Sequence, residues 1–293
     1  MFQYFSRPVG DLESHFVTES RPRWLGTVRT QTQCGNEAAV HSGFACYCGA
    51  VKFSHRARNL LRRSGIELSR YRPDWDFERN FMRQLESHRV TVILDIGANS
   101  GQYASDLRAA GFQGRIVSFE PLSGPYAILE RRASTDPRWE CHRSALGDSD
   151  GTISINVAGN AGESSSVLPM LKSHQEAYPP ANYVGTEEVP VRRLDSVAAD
   201  ILQPSDVAFL KIDVQGFEKE VLAGGGETIQ NYCAGIQLEL SFLPLYEGGT
   251  LIREALDIAA SLGFTPTGLR PCFTDMRNGR MLQADGIFFR EVN

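Results

Sequence analysis

The chain has 293 residues, 42% of them hydrophobic and 22% charged, long enough for one large domain or two small ones. A formal net charge of −5 argues against a general nucleic-acid binder, which presents a basic surface. The charge is uneven: residues 1–90 hold 14 Lys and Arg against 9 Asp and Glu, a net +5, and residues 91–293 carry the balancing −10.

Residues 1–50 mix Ser, Thr, Gly, Pro, Arg and Gln without helical or strand periodicity and read as a disordered extension. They contain Cys34, His41, Cys46 and Cys48, whose spacing matches no familiar zinc finger. Six cysteines in this length do not make a disulfide scaffold. Cys141 and Cys233, beside apolar runs, read as buried thiols of a protein in a reducing compartment. The basic segment "HRARNLLRRSGIELSRYRP" follows, a solvated helix face or a contact for an anionic membrane or phosphorylated substrate. "DWDFERNFMRQLESH" then sets Phe77, Phe81, Met82 and Leu85 at helical spacing. No run approaches the ~18 apolar residues that span a bilayer. The N-terminus lacks the basic start and apolar core of a secretory signal. The expectation is a cytoplasmic protein, with peripheral membrane contact through the basic leader.

From Val90 onward strands and helices alternate. "VTVILDI", "GRIVSFEP", "WECHRSAL", "VAFLKIDV" and "AGIQLEL" read as core strands; "GQYASDLRAAG", "GPYAILERRAS" and "TLIREALDIAASLGF" read as helices. "GTISINVA" and "EEVPVRRL" form an added strand pair, and "FTPTGLR" and "DGIFFR" pair at a sheet edge. This pattern predicts an α/β protein with a mainly parallel sheet covered on both faces.

Ligands of such sheets bind beyond the carboxyl ends of the strands, near the switch in strand order. Asp95 lies at one such end, followed by Gly97 and Gly101, which leave room for a ligand to approach the backbone. The D-x-G-x-x-x-G spacing is not the G-x-G-x-x-G of a dinucleotide loop, and its leading carboxylate suits a cationic group such as the amino group of S-adenosylmethionine. Glu120, ending the next strand, stands where an acidic residue takes the ribose hydroxyls. Asp148 follows the third strand and would reach an adenine amino group, with Ser144 and Ala145 along that wall; the plainer alternative is a tight turn. Asp213 and Glu239 end two further strands. Such a pair would orient a hydroxyl, take its proton or share a divalent cation; for Glu239 a purely structural hydrogen bond is the alternative. The long polar segment Gly159–Gly185 reads as a lid or substrate loop. It offers Ser164, Ser165 and Ser166 as hydrogen-bonding groups, Tyr178 and Tyr183 as faces for a sugar ring, and His174 as a third candidate base.

"LDIGANSGQY", "VSFEP", "SALGD", "ESSS", "RRLDS", "LKIDVQGFEKEVLAGG" and "IQLEL" together resemble the FkbM-type methyltransferases. The resemblance runs from about Val90 to the C-terminus. It implies a class I, Rossmann-like methyltransferase fold with a seven-stranded sheet and a reversed last hairpin. It also implies S-adenosylmethionine-dependent O-methylation of a hydroxyl on a sugar of a glycolipid, polysaccharide or glycosylated metabolite. By it, Asp95, Gly97, Asn99 and Gly101 surround the methionine end of the cofactor, Glu120 the ribose and Asp148 the adenine, while Asp213 faces the reaction centre. One departure is Gln215, where the family often has Glu. The expected organisation is an extension over 1–50, a helical leader packing on the core over 51–89, and the methyltransferase domain over 90–293. The competing readings are a nicotinamide-dependent oxidoreductase and a non-catalytic S-adenosylmethionine- or glycan-binding module. Metal dependence and oligomeric state are not legible in the sequence.

Overall fold

The computed structural model describes residues 74–291, together with 59, 60, 62, 63 and 72. The extension, the candidate zinc ligands and most of the basic leader lie outside the described residues. The chain divides at Phe77 into two compact units. In the earlier one the Trp75 backbone N–H donates to the Arg72 carbonyl (3.0 Å), and the Arg72 guanidinium lies 4.6 Å from the centre of the Trp75 ring.

The unit from Phe77 onward holds every strand among the described residues. After α1 (Phe77–Ser87) come β1 (Val92–Ile96), α2 (Gln102–Ala109), β2 (Arg115–Phe119), α3 (Ser123–Ala133) and β3 (Trp139–His142). The short β4 (Ala145–Leu146), β5 (Gly151–Ala158), α4 (Lys172–Ala177) and β6 (Tyr183–Arg192) follow. The chain then forms α5 (Leu194–Ile201), β7 (Ala208–Ile212), α6 (Glu218–Gly224), α7 (Gly226–Tyr232) and β8 (Cys233–Ser241). It closes with α8 (Ile252–Ser261), β9 (Thr265–Asp275) and β10 (Arg280–Phe289).

Seven strands form one sheet in the order β3-β2-β1-β7-β8-β10-β9. The pairs from β3 to β8 are parallel, and β10 runs antiparallel to both its neighbours. This is the class I methyltransferase architecture, α/β with a reversed last hairpin. The chain winds outward from β1 to β3, then returns to place β7 against the other side of β1, so the strand order switches between β1 and β7. A second sheet of three strands, β4-β6-β5, carries the added pair expected from the sequence. The stretch "WECHRSAL" is not one strand: Trp139–His142 stays in the main sheet, while Ala145–Leu146 turns aside to pair with β6.

Period-two alternation sorts the buried strands onto two cores. Val92, Leu94 and Ile96 of β1 join Leu210 and Ile212 of β7 under α5 to α8; Ile93 and Phe209 face the other way, with Phe81 and Leu85 of α1 and Leu107 of α2. Cys233 is buried as expected, whereas Cys141 is only half-buried because β3 is the edge strand of the main sheet. The segment expected to be a lid is a packed roof: Leu168, Met170, Ala177, Tyr178, Ala181 and Tyr183 form a small core with Leu245, Tyr246 and Phe273. Among the described residues no helix is long and apolar enough to cross a membrane.

Candidate functional site

The register of β1 and β7 sets Asp95 opposite Lys211, both on the face that carries Ile93 and Phe209. Asp95 is fully buried, and its Oδ1 lies 3.1 Å from Lys211 Nζ. Ser118, the register partner of Asp95 on β2, donates to Asp95 Oδ2 (3.2 Å), and the Trp139 indole N–H donates to Ser118 Oγ (3.0 Å). Lys211 also donates to the Gly97 carbonyl (2.9 Å) and lies 3.8 Å from Asp213 Oδ2. Burial disfavours its ammonium, but the charges of Asp95 and Asp213 outweigh that and raise its pKa. Tyr103 of α2 covers the row and donates to Gln237 (3.1 Å); burial, then the Asp95 charge, push its phenol well above the usual range.

Above this row a crevice opens at the carboxyl ends of β1, β2 and β7. It encloses about 110 Å³ and widens toward an open mouth. Gly97, Asn99, Gln102 and Tyr103 line one end, with Lys211 and Asp213; Glu120 sits at the end of β2; Leu122, Ser144, Ala145, Ile155 and Phe217 line the other end. Glu120 is 5% exposed; its Oε2 accepts the Asn99 N–H and its Oε1 the Leu122 N–H, both at 2.8 Å. Burial lifts its pKa to about 7 against those two donors. The Asn99 side chain is engaged locally, its Oδ1 accepting the Ser100 N–H (2.7 Å), with the backbone in the left-handed region (φ 48°).

The structure brings Gly97, Asn99, Glu120, Ser144, Ala145, Ser165, Ser166 and Asp213 to this crevice, but not every residue singled out from the sequence. Asp95 lies beneath the lining, held by Lys211 and Ser118. Gly101 is behind it, and Asp148 is exposed, in the turn before β5. The space expected over the glycines is filled by the protein. Both have positive φ; a Cβ on Gly97 would fall 1.9 Å from the Asp213 carbonyl oxygen, and one on Gly101 would strike the Trp139 ring at 2.8 Å. The glycines are needed for the turn and for close packing of the loop after β1 against the Asp213 backbone and the Trp139 ring.

Asp213 and Glu239 do come together, through Gln215. The Gln215 amide nitrogen donates to Asp213 Oδ1 (2.8 Å) and to Glu239 Oε2 (3.0 Å), and its oxygen accepts the Tyr246 hydroxyl (2.6 Å). Gln215 is buried with φ 57°, and its carbonyl accepts from Ser166 Oγ (2.7 Å). Burial, then the charges of Asp213 and Glu218, push the Glu239 carboxyl well above its ordinary pKa. His174, expected on a solvated segment or in a lid, is 2% exposed, edge-on to Tyr246 at 5.2 Å. Burial holds its imidazole down to about 4, so it is neutral and weakly basic. Ser166 both lines the crevice and latches the roof to Gln215, while Tyr183 serves the roof alone, donating to the Leu168 carbonyl (2.7 Å). Among the described residues no three His, Cys, Asp or Glu side chains are grouped to hold a metal ion. Sequence reading missed Lys211, Tyr103, Gln102 and Phe217; the usable signal was a lysine inside the otherwise apolar strand "AFLKI".

Glu218 gives a pH prediction. Its Oε1 accepts the Gly216 N–H (3.0 Å), and burial raises it to about 7. The folded chain therefore holds a proton that the unfolded chain releases near pH 4.5, so this group lowers stability as pH rises from about 4.5 to 7. The loss is on the order of 3 kcal/mol at most. His174, lowered to about 4, acts in the opposite sense below about 6.5. The test therefore compares denaturant midpoints of the parent and Glu218→Gln at about pH 5.5 and 8. The parent should lose more stability than the variant across that interval; parallel shifts would contradict the assignment.

Residues 95–266 match the family model described as the methyltransferase FkbM domain. The 2-O-methyltransferase NoeI of Sinorhizobium fredii is 32% identical over 178 residues, which span 58% of this chain and 71% of that protein. Methyltransferase 1 of Beauveria bassiana is 24% identical over 144 residues, spanning 46% of this chain and 58% of that one. Among solved structures, methyltransferase FkbM from Methylobacillus flagellatus is similar with a TM-score of 0.40 and 15% identity. That match covers 67% of this chain and only 43% of the other, so the chain spans less than half the length of that relative.

Proposed function

The chain belongs to the FkbM methyltransferase family, and from that premise we propose that it transfers a methyl group from S-adenosylmethionine to a hydroxyl on a sugar of a glycolipid, polysaccharide or glycosylated metabolite. One observation carries the reading: the buried Glu120 carboxylate at the mouth of β2, pinned by two backbone N–H groups, in the same crevice as Asp213 at the end of β7. The residues present fit the cofactor. Glu120 would hold the ribose hydroxyls. Ser144 and Ala145, with Ile155 and Phe217, would take the adenine, and the end lined by Asn99, Gln102, Tyr103 and Asp213 would take the amino acid. Asp95 acts from below, fixing Lys211 rather than touching the ligand.

S-adenosylmethionine, when bound, supplies a methyl group on a sulfonium that leaves as a neutral thioether. The chain's own task is then positioning and one proton. Holding an oxygen about 3–3.5 Å from the methyl contributes roughly 7–11 kcal/mol. Asp213 is the favoured base. It lines the crevice, and the Gln215 amide fixes Oδ1. His174 is too weakly basic for the role, and Glu239 is buried away from the crevice lining, bound by the Gln215 and Gln283 amides. The O-methyl chemistry draws support from the 32% identity to a 2-O-methyltransferase.

The test is tritiated methyl transfer from S-adenosylmethionine into fractionated extract, with and without EDTA. Label in carbohydrate or glycolipid fractions, released as a methyl ether of a sugar, is expected. Label confined to protein or nucleic acid would overturn the reading.

A further inference from the structure

On the far side of Gln215 lies a second, smaller recess. Its lining includes Ser164, His174, Glu239, Cys272, Phe273 and Gln283, and Gln215 is the wall it shares with the crevice. Two polar groups meet this recess without full partners among the described residues. His174 Nδ1 is buried and accepts or donates no hydrogen bond. Glu239 Oε2 takes both amide donors, from Gln215 (3.0 Å) and Gln283 (2.7 Å), which leaves Oε1 with only the Cys272 thiol at 4.0 Å. A buried polar atom without a partner is costly and rare in a native fold. Here one such atom, His174 Nδ1, and one carboxyl oxygen held only by a weak thiol donor border a single recess beside the proposed methyl-transfer site.

The charge of the recess narrows what fills it. The imidazole is neutral, and burial, then the charges of Asp213 and Glu218, favour the uncharged form of the Glu239 carboxyl. Asp213 lies just across Gln215, and the nearby Lys211 ammonium is already taken by Asp95 and Asp213. Among the residues lining the recess an anion would find no free cation. A hydroxyl, being donor and acceptor at once, matches a ring nitrogen and a carboxyl oxygen together.

We infer that this recess is the second anchoring point of the acceptor and takes an uncharged hydroxyl: the acceptor presents one hydroxyl to Asp213 and another, on the same molecule, to His174 and Glu239. The inference rests on the proposed methyl transfer and gives His174 and Glu239 a role in binding instead of proton removal. Sites built to hydrogen-bond a hydroxyl reject an analogue lacking it by up to about 10⁴–10⁵, so the recess would select acceptors by the neighbour of the methylated group.

Saturation-transfer NMR on the full chain, loaded with S-adenosylhomocysteine, tests this with a set of neutral methyl hexosides, the matching methyl glucuronide and a methyl glucosaminide. Transfer to at least one neutral hexoside is expected, about five-fold weaker or absent for the charged glycosides. The same loss is expected in His174→Leu, with partial recovery in His174→Asn. Cys272→Leu, which fills the recess from a half-buried position, should block transfer if His174→Leu does not fold. An unchanged affinity for S-adenosylhomocysteine identifies the variants as folded. No transfer to any neutral hexoside, equal transfer to a charged one, or undiminished transfer in the folded variants would overturn the inference. Failure of the parent chain to bind S-adenosylhomocysteine would instead overturn the proposed function.

Discussion

Asp213→Asn should lose roughly 10²–10⁴-fold in methyl-transfer rate, the range a positioned general base contributes, while binding S-adenosylhomocysteine within a few-fold of the parent. The substitution keeps the shape of the side chain and the Oδ1 acceptor that meets Gln215 at 2.8 Å. What it removes is the charged oxygen that lies 3.8 Å from Lys211, the one the proposed proton transfer would use. Steady-state rates on the labelled acceptor fraction, with calorimetry on the same preparations, separate the two effects. If the rate falls only together with cofactor affinity, Asp213 is a binding group and the base lies elsewhere. If neither changes, Asp213 has no part in the reaction.

Lys211→Met should cost about 3–5 kcal/mol of stability, because it leaves Asp95 as an uncompensated charge in a wholly buried position. For a unit of this size that lowers the melting temperature by roughly 10 °C. Adding Asp95→Leu to Lys211→Met should recover much of the loss, since removing both members of a buried pair is often nearly neutral. Additive losses in the double variant would show that the two residues do not act as a pair. The same logic sets the expectation for Asp95→Ala alone: a loss of cofactor binding should follow a loss of stability at the central β1–β7 pair, since Asp95 lies beneath the crevice lining.

The strands that frame the site are legible because parallel strands buried on both faces are continuous apolar runs, as "VTVILDI" and "AGIQLEL" are. Their carboxyl ends carry the acidic residues, so the order of residues along the chain is enough to pick out Glu120 and Asp213. What a sequence does not display is which face a strand residue takes relative to its neighbour. Asp95 reads as a ligand contact because it ends a strand; the register with Ser118 and Lys211 turns it into a buried ion pair. Lys211 is missed for the same reason, since its partner is 116 positions away in the chain (211 − 95) yet directly opposite in the sheet. The polar segment before β6 reads as a loop because its order depends on distant groups: Ser166 Oγ donates to the Gln215 carbonyl (2.7 Å), and the Leu171 N–H to the Leu245 carbonyl (2.9 Å). His174 likewise becomes a buried ring only once Tyr246 and Phe273 pack around it. Gln215 stands out in sequence as a departure from the family pattern, but its position between two carboxylates is a tertiary fact.

The central claim is that the crevice beside Glu120 grips a sulfonium nucleoside. Calorimetric titration of the full chain with S-adenosylhomocysteine, run beside NADH and NADPH, tests it directly. One saturable site for S-adenosylhomocysteine, weakened at least about ten-fold in Glu120→Leu, with no heat from either nicotinamide, is the expected result. Heat from a nicotinamide dinucleotide and none from S-adenosylhomocysteine would contradict it.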